Sequence, residues 1–222
     1  MRPTLALIAD IHANDPALAA TLREIADRGF EHGLVVGDVV MRGEEPQQVV
    51  DRLARLGWPC VVGNTDLKVL RSVGIEASAR QLAKTGSRWW TRERLDAAAL
   101  AWLGDLPPVI HRRLGDHRIA VVHGSPSDSR IELGPGAPAD ELLDYAGELG
   151  ADCVVSAHTH AAGAHQVDDV LFVNPGSVGE TADPGDRRPR WAWLEARGDR
   201  LVAHLEAVEQ PLARPRIKKL AA

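Results

Sequence analysis

The sequence predicts an α/β fold built around a largely parallel sheet, with a helical insert around residues 67–106. Short apolar runs alternate with helically periodic segments over residues 4–62, in the order β-α-β-α-β. This alternation implies right-handed crossovers, and ligand sites in such sheets lie at the carboxyl ends of the strands. The chain has 222 residues, enough to bury a substantial core, so we expect a single domain over residues 1–209.

The first part of the chain supplies three predicted strands and two predicted helices. Strands are expected at residues 4–9, 33–36 and 58–62, because each is a short apolar run that ends at polar residues. Helices are expected at residues 14–28 and 46–56, because apolar residues recur there at helical spacing. Each strand therefore delivers a polar cluster to the same edge of the sheet.

The rest of the chain begins with the helical insert and continues into a second sheet. Within the insert, residues 91–103 form the clearer of two expected helices, before two prolines break the pattern. A hairpin is expected from residues 109–114 and 118–122, around a Gly-Asp turn. The remaining expected elements are a loop at 124–139, a helix at 140–149 and strands at 153–155, 170–173, 191–194 and 201–205.

The composition is that of a globular protein, with 45% hydrophobic and 26% charged residues. The net charge of −5 gives no global electrostatic signal for nucleic acid or an anionic membrane. Cys60 and Cys153 lie in apolar runs, as buried thiols do in a reducing compartment. No apolar run approaches the roughly 20 residues of a membrane span, so we expect a cytoplasmic protein. The basic tail at residues 210–222 is assigned no function.

Five short polar clusters follow apolar strands, and together they indicate a metal site. Alternate residues of an extended segment point to the same side, so the two side chains of Asp-x-His or His-x-His can coordinate the same ion. Oxygen and nitrogen donors without thiolate suit divalent manganese, iron, cobalt, nickel or zinc, of which we favour manganese. The clusters are Asp10-Ile11-His12, Gly37-Asp38, Gly63-Asn64, His123-Gly124 and His158-Thr159-His160.

The number of candidate ligands favours two metal ions over one. Seven ligands exceed what a single such ion takes from a protein, so the economical interpretation is a pair of cations bridged by Asp38. Two divalent cations bring four positive charges, and Asp10 and Asp38 return only two negative ones. Such a site lowers the pKa of a bridging water and attracts an anionic phosphate despite the negative net charge. We therefore expect hydrolysis of a phosphate ester by metal-bridging hydroxide.

The order of these motifs resembles the calcineurin-like metallophosphoesterases over residues 4–177. The resemblance implies a four-layer α/β/β/α sandwich whose site lies at the shared edge of two sheets. By position, it implies that one metal is held by Asp10, His12 and His160, the other by Asn64, His123 and His158, with Asp38 between them. The Asn-Pro-Gly-Ser sequence at residues 174–177 resembles the smaller bacterial and archaeal phosphodiesterases of that superfamily, although such a turn is equally compatible with a structural role.

Two positions depart from the patterns of that superfamily. Thr65 stands where many relatives carry the histidine that protonates the leaving group, and a hydroxyl cannot supply a proton near pH 7. The chemistry then needs a good leaving group, water or another acid. Arg42 matches the phosphate-binding arginine of the Ser/Thr protein phosphatases, but Met41 replaces the aspartate before it, and a solvated arginine is equally compatible. Asp66 is interpreted as a helix cap.

The sequence thus predicts a phosphodiesterase or phosphomonoesterase acting on a small phosphate ester or nucleotide. The predicted catalytic residues are Asp38, Asn64 and His123, and Arg42 is the predicted substrate-binding residue. A nucleotide-polyphosphate hydrolase and a Ser/Thr protein phosphatase-like enzyme are alternatives within the same chemistry. A non-catalytic protein-binding scaffold is the alternative from another class, but such scaffolds tend to lose metal ligands. Natural substrate, native metal and oligomeric state are left open.

Overall fold

A computed structural model describes residues 3–125, 128–134, 136–183 and 185–209. The predicted tail at residues 210–222 lies outside these ranges. The helices are α1 (Asp15–Asp27), α2 (Pro46–Leu56), α3 (Asn64–Leu70), α4 (Ala79–Ala83), α5 (Arg88–Arg92), α6 (Ala97–Gly104) and α7 (Ala139–Leu149). The strands are β1 (Thr4–Ile8), β2 (Gly33–Val35), β3 (Val109–Leu114), β4 (His117–Val122), β5 (Cys153–Val155), β6 (Gly163–Val167), β7 (Val170–Asn174), β8 (Arg190–Arg197) and β9 (Arg200–Ala207).

The strands form two mixed sheets. The first has the order β2-β1-β8-β9, in which β1 pairs parallel with β2 and antiparallel with β8. The second has the order β3-β4-β5-β7-β6, in which β4, β5 and β7 run parallel and the two edge strands antiparallel. The parallel strands of both sheets end where the candidate ligands follow.

Alternation of apolar side chains along the strands divides the core into three regions. Leu7 of β1 packs between the sheets against residues of the second sheet such as Val121 and Val155. Its neighbour Ile8 points the other way, towards the core that the first sheet shares with helices α1, α2, α3 and α6. On the far side, Phe172 of β7 packs with α7. These regions separate four layers, helices-sheet-sheet-helix, and confirm the α/β/β/α sandwich.

Some predicted elements are wrong in detail. Residues 58–62 form no regular strand, and only Cys60 makes an isolated bridge, to Val35. The helix expected at residues 91–103 is two helices, α5 and α6, because Asp96 caps α6 by accepting a hydrogen bond from the Ala99 N–H at 2.7 Å. Strand β6 was not predicted, and the sheets are mixed rather than largely parallel. The helical insert itself is confirmed, as helices α3 to α6.

Within the described ranges, no helix has the length and apolar character that crossing a bilayer demands.

Candidate metal centre

The seven candidate ligands converge at one edge of the sandwich, where loops from both sheets meet. The first sheet contributes the residues that follow β1 and β2, and the second sheet contributes those that follow β4 and β5. Asn64 is the first residue of α3. The seven residues are Asp10, His12, Asp38, Asn64, His123, His158 and His160, and all but the half-buried His158 are shielded from solvent.

The first group of ligand atoms comes from Asp10, His12 and His160. The Nε2 atoms of the two histidines are 3.0 Å apart. Asp10 Oδ1 lies 3.9 Å from His12 Nε2 and 3.6 Å from His160 Nε2. Three donors so close together have the arrangement of a shared metal site, and they are the set that the resemblance implied for one cation.

The second group comes from Asn64, His123 and His158. Asn64 Oδ1 lies 3.1 Å from His123 Nε2 and 3.0 Å from His158 Nδ1. This is the orientation in which all three lone pairs can face one cation. With the amide turned round, its nitrogen would donate to both histidines and its oxygen would accept from Lys68 Nζ at 3.0 Å. The choice between the two orientations therefore depends on whether a cation or protons lie between these atoms.

Asp38 lies between the two groups. Its Oδ1 is 3.3 Å from His123 Nε2, and its Oδ2 is 3.8 Å from His12 Nε2. Oδ2 also lies 3.2 Å from the Asn64 side-chain amide, so the Asp38 carboxylate is within reach of both sets of donors. This placement is what a bridging ligand requires.

The residues fit a cationic occupant because buried acceptors at the centre lack donors. Both carboxylate oxygens of Asp10 are buried without a hydrogen-bond partner among the described residues. Buried carboxylates are otherwise nearly always paired, since desolvating an unpaired charge costs several kcal/mol, roughly. A divalent cation coordinated by Asp10 would remove that cost.

The electrostatics at Asp10 and His12 agree with this fit, whereas the Asp38 carboxylate outweighs burial and raises the pKa of His123 to about 9, so a metal would have to displace that proton. Burial raises the pKa of Asp10 well above its usual range, and the charge of Asp38 adds to the effect. Burial also acts to raise the pKa of Asp38, but His123 outweighs it and holds that pKa below its usual value. Burial lowers the pKa of His12 to about 3, so its ring is neutral near pH 7 and able to ligate a metal. Two close carboxyl groups in a desolvated site need a cation to ionise together.

The backbone at the ligands is unusual. Among the residues that the structure describes, nine non-glycine residues have positive φ, and only Asp168 of these lies outside the loops of the centre. The remaining eight are Asp10, His12, Ala13, Asp38, Met41, Arg42, His158 and His160, with φ between 51° and 75°. Left-handed conformations of non-glycine residues are strained and gather at functional sites. Five of the eight are candidate ligands.

The Asp66 carboxylate links two loops that carry candidate ligands, the loop after β2 and the turn that begins α3. Its carboxylate accepts hydrogen bonds from the Gly63 N–H at 2.9 Å, the Val40 N–H at 3.0 Å and the Val39 N–H at 3.3 Å. Asp66 is therefore part of a capping arrangement at the third helical position, and it also holds the loop that follows Asp38. The expectation that Asp66 is the N-cap was wrong, because the helix begins at Asn64 and Gly63 is at the N-cap position, and the sequence does not show the contact with the second loop.

The Asn-Pro-Gly-Ser turn connects loops from the two sheets. The Asn174 amide donates to the Ala157 carbonyl and to Thr159 Oγ1, both at 3.0 Å, and so braces the His158–His160 loop. The Ser177 hydroxyl donates to the Asp10 carbonyl at 2.8 Å. In this structure the turn supports the backbone of ligand loops and offers no side chain to the ligand cluster.

Thr65 and Arg42 differ in what they can offer to a substrate. The Thr65 hydroxyl is buried and donates to the Val40 carbonyl at 2.8 Å, while its N–H donates to Asp38 Oδ1 at 2.8 Å. Arg42 is half exposed and forms an ion pair with Glu180. Thr65 is thus a supporting residue, and Arg42 is an accessible cation beside the centre. Glu180 was missed because it lies far from Arg42 in sequence and in no motif.

Known proteins resemble this chain in sequence and in fold. An uncharacterized protein of Methanocaldococcus jannaschii, MJ0912, is 26% identical over 200 residues, which cover 82% of this chain and 79% of that protein. The crystal structure of a metallophosphoesterase from Sphaerobacter thermophilus has a TM-score of 0.72 and 24% identity, covering 93% of this chain and 89% of that one. The hypothetical protein PH1004 from Pyrococcus horikoshii has a TM-score of 0.76 and 21% identity, covering 93% and 88% of the two chains.

The family comparison covers most of the chain. The Calcineurin-like phosphoesterase superfamily domain matches residues 4–198, from the first strand to the end of β8. The match includes all seven candidate ligands. The chain therefore belongs to the calcineurin-like phosphoesterase superfamily, whose members are metal-dependent.

Proposed function

We propose that the protein is a metal-dependent phosphoesterase that hydrolyses a P–O bond and binds two divalent cations, with manganese as the first candidate. The observation that carries this proposal is the convergence of seven side chains from both sheets on one buried edge, with the Asp10 carboxylate lacking a hydrogen-bond donor. A purely structural cluster would have satisfied that carboxylate. The membership of the superfamily supports a hydrolase.

Each ligand has a distinct place in the proposed centre. Asp10, His12 and His160 would hold one cation, Asn64, His123 and His158 would hold the other, and Asp38 would contact both. Bound cations would supply Lewis acidity and an acidified water for attack on phosphorus. Asp38 would fix the spacing of the two groups, since its carboxylate lies 3.8 Å from His12 Nε2 and 3.3 Å from His123 Nε2.

Two further side chains, Arg42 and Thr65, bear on how the substrate would bind and react. Arg42 is exposed beside the centre, and its guanidinium suits the oxygens of a phosphate once the ion pair with Glu180 opens. The Thr65 hydroxyl donates its hydrogen bond to the Val40 carbonyl, so it would give no proton to a leaving group. We therefore propose that activated esters with good leaving groups react fastest.

Hydrolysis of bis-p-nitrophenyl phosphate and p-nitrophenyl phosphate tests the proposal. The purified protein with manganese should hydrolyse at least one of them. Asp38→Ala and His123→Ala should each abolish turnover, because Asp38 would contact both cations, His123 would hold one of them, and the reaction would need both. His111→Ala is the matched control, since His111 is an exposed histidine on β3. Full turnover in Asp38→Ala or His123→Ala, or equal loss in His111→Ala, would refute the mechanism. Repeating the assay with nickel, cobalt, zinc and iron identifies the preferred cation.

A further inference from the structure

A cavity of about 490 Å³ lies beside the candidate metal centre and contains no predicted metal ligand. Its walls come from the loop after β2, including Met41 and Arg42, and from the segment of the helical insert between α4 and α5. Lys84, Arg88 and Trp89 are the insert residues that matter for its chemistry. The cavity is therefore formed where the insert meets a ligand loop.

Backbone contacts hold the two walls together. The Arg42 N–H donates to the Gly86 carbonyl at 2.8 Å. Gly86 has a φ of 71°, and a Cβ there would collide with the Arg42 carbonyl, so the close approach requires glycine. The insert segment is thus fixed in its position against the loop rather than merely adjacent to it.

The same loop ties the cavity to the metal centre. The Gly43 N–H donates to the His12 carbonyl at 2.9 Å. A substrate that spans Arg42 would contact both places.

The cavity is cationic in a protein whose net charge is −5. Arg42 is paired with Glu180, but Lys84 and Arg88 are exposed and have no carboxylate partner among the described residues. Unpaired cations around a concave surface attract anions despite an opposite net charge. The occupant should therefore carry negative charge.

The aromatic ring in the cavity wall is not available for stacking with a base. The guanidinium of Arg88 lies 4.6 Å from the centre of the Trp89 ring, and that of Arg92 lies 5.4 Å from it. Trp89 is itself largely buried, with 8% exposure. The cations of Lys84 and Arg88 lie in an otherwise mainly apolar lining, and their charge favours a phosphate ester over an uncharged ligand.

We propose that this cavity binds a second phosphate group of the substrate. The preferred substrates would then be esters that carry more than one phosphate, such as nucleoside polyphosphates. One phosphate would lie at the metal centre and another between Lys84 and Arg88, with Arg42 in the middle. The choice of substrate rests on the proposed phosphoesterase function, whereas anion binding by the cavity can be measured without it.

A binding experiment on metal-free protein tests the cavity directly. Inorganic tripolyphosphate is titrated into the protein in EDTA, and binding is followed by calorimetry. The double variant Lys84→Gln/Arg88→Gln should bind at least about tenfold more weakly, since each lost charge-assisted hydrogen bond corresponds to roughly that factor. The matched control is Arg112→Gln/Arg113→Gln, two exposed cations on β3 near the turn at the opposite end from His123, and it should bind as the wild type does.

A kinetic experiment distinguishes an effect of the cavity on substrate preference from an effect on the reaction itself. With manganese present, kcat/KM is compared for a dinucleoside tetraphosphate and for p-nitrophenyl phosphate. In Lys84→Gln/Arg88→Gln the ratio of the two should fall at least about tenfold, mainly through KM for the tetraphosphate. Tripolyphosphate binding that the double substitution does not weaken, or an unchanged ratio, would overturn the cavity proposal even if both esters are hydrolysed. Variant-sensitive binding by a protein that hydrolyses neither ester would instead refute the proposed function and leave the cavity proposal standing.

Discussion

At the scale of single residues, Asp10 is the clearest case of function opposing stability. Its carboxylate is fully buried and receives no hydrogen bond from the described residues, and burial raises its pKa. Without a cation the ionised group destabilises the fold. Its backbone is also left-handed, with a φ of 51°, a conformation that aspartate and asparagine tolerate better than most residues.

We predict that Asp10→Asn stabilises the metal-free protein by about 1–3 kcal/mol and removes metal-dependent activity. The amide keeps the shape and removes the buried charge. Because the folded carboxyl has a raised pKa, metal-free wild-type stability should fall as the pH rises above about 4, and its gap to the variant should widen. Unfolding in urea at several pH values, in EDTA and in manganese, measures this. Asp116→Asn, on an exposed turn, is the control, and a destabilised metal-free Asp10→Asn would contradict the prediction.

At the scale of elements, the loops of the centre depend on close backbone contact. Gly63 precedes the ligand Asn64, and a Cβ on it would collide with the backbone nitrogen and carboxylate of Asp38. Asp66 then bonds to the loop that follows Asp38. The positions of the two ligands are therefore set by the packing of one loop on another, with no room for even a methyl group.

We predict that Gly63→Ala and Gly147→Ala have effects of opposite sign. Alanine at 63 should displace Asp38, destabilise the protein by more than about 1 kcal/mol and lower turnover sharply, because overpacking forces backbone shifts. Gly147 lies within α7, where a Cβ meets nothing within 4 Å, so alanine there should stabilise by about 1 kcal/mol and leave turnover unchanged. Thermal unfolding and the p-nitrophenyl assays give both values. Equal stability of the two variants would show that the loop contact is not essential.

Sequence patterns predicted helices and strands well where the apolar spacing is regular and polar residues mark the end of each strand. Helix α1 and strands β1, β2, β4 and β5 were predicted to within a residue or two, because their apolar spacing is regular. Strand β6 was missed because Gly163 to Val167 has a mixed sequence and is only partly buried. The unbroken apolar spacing of residues 91–103 concealed the Asp96 cap. The ion pair of Arg42 with Glu180 could not be predicted, since it joins loops far apart in sequence.

At the scale of the whole molecule, the chain beyond the second sheet returns to close the first. Strands β8 and β9 complete that sheet, and the Val208 side chain is still buried in the core that it shares with the helices. The packed part of the chain thus reaches almost to residue 209, the last described residue. The domain boundary expected at residue 209 stays a prediction.

We predict that a variant lacking residues 210–222 retains the melting temperature and the turnover of the full chain. A second variant that ends at residue 199 lacks β9, exposes β8 and should fail to fold cooperatively. Circular dichroism melts and the p-nitrophenyl assays compare the two with the intact protein. A loss of stability on removing the tail alone would place part of the domain beyond residue 209.

The left-handed backbone of the candidate ligands limits what protein engineers can transfer to other scaffolds. Copying the seven side chains onto regular strands and helices would reproduce the chemical groups without the bends that aim them, since regular elements exclude positive φ. A successful graft would have to carry the entire loops, together with the glycines and the Asp66 carboxylate that hold them in shape. The smallest transferable unit is therefore a set of interlocked turns, and a list of coordinating residues does not describe it.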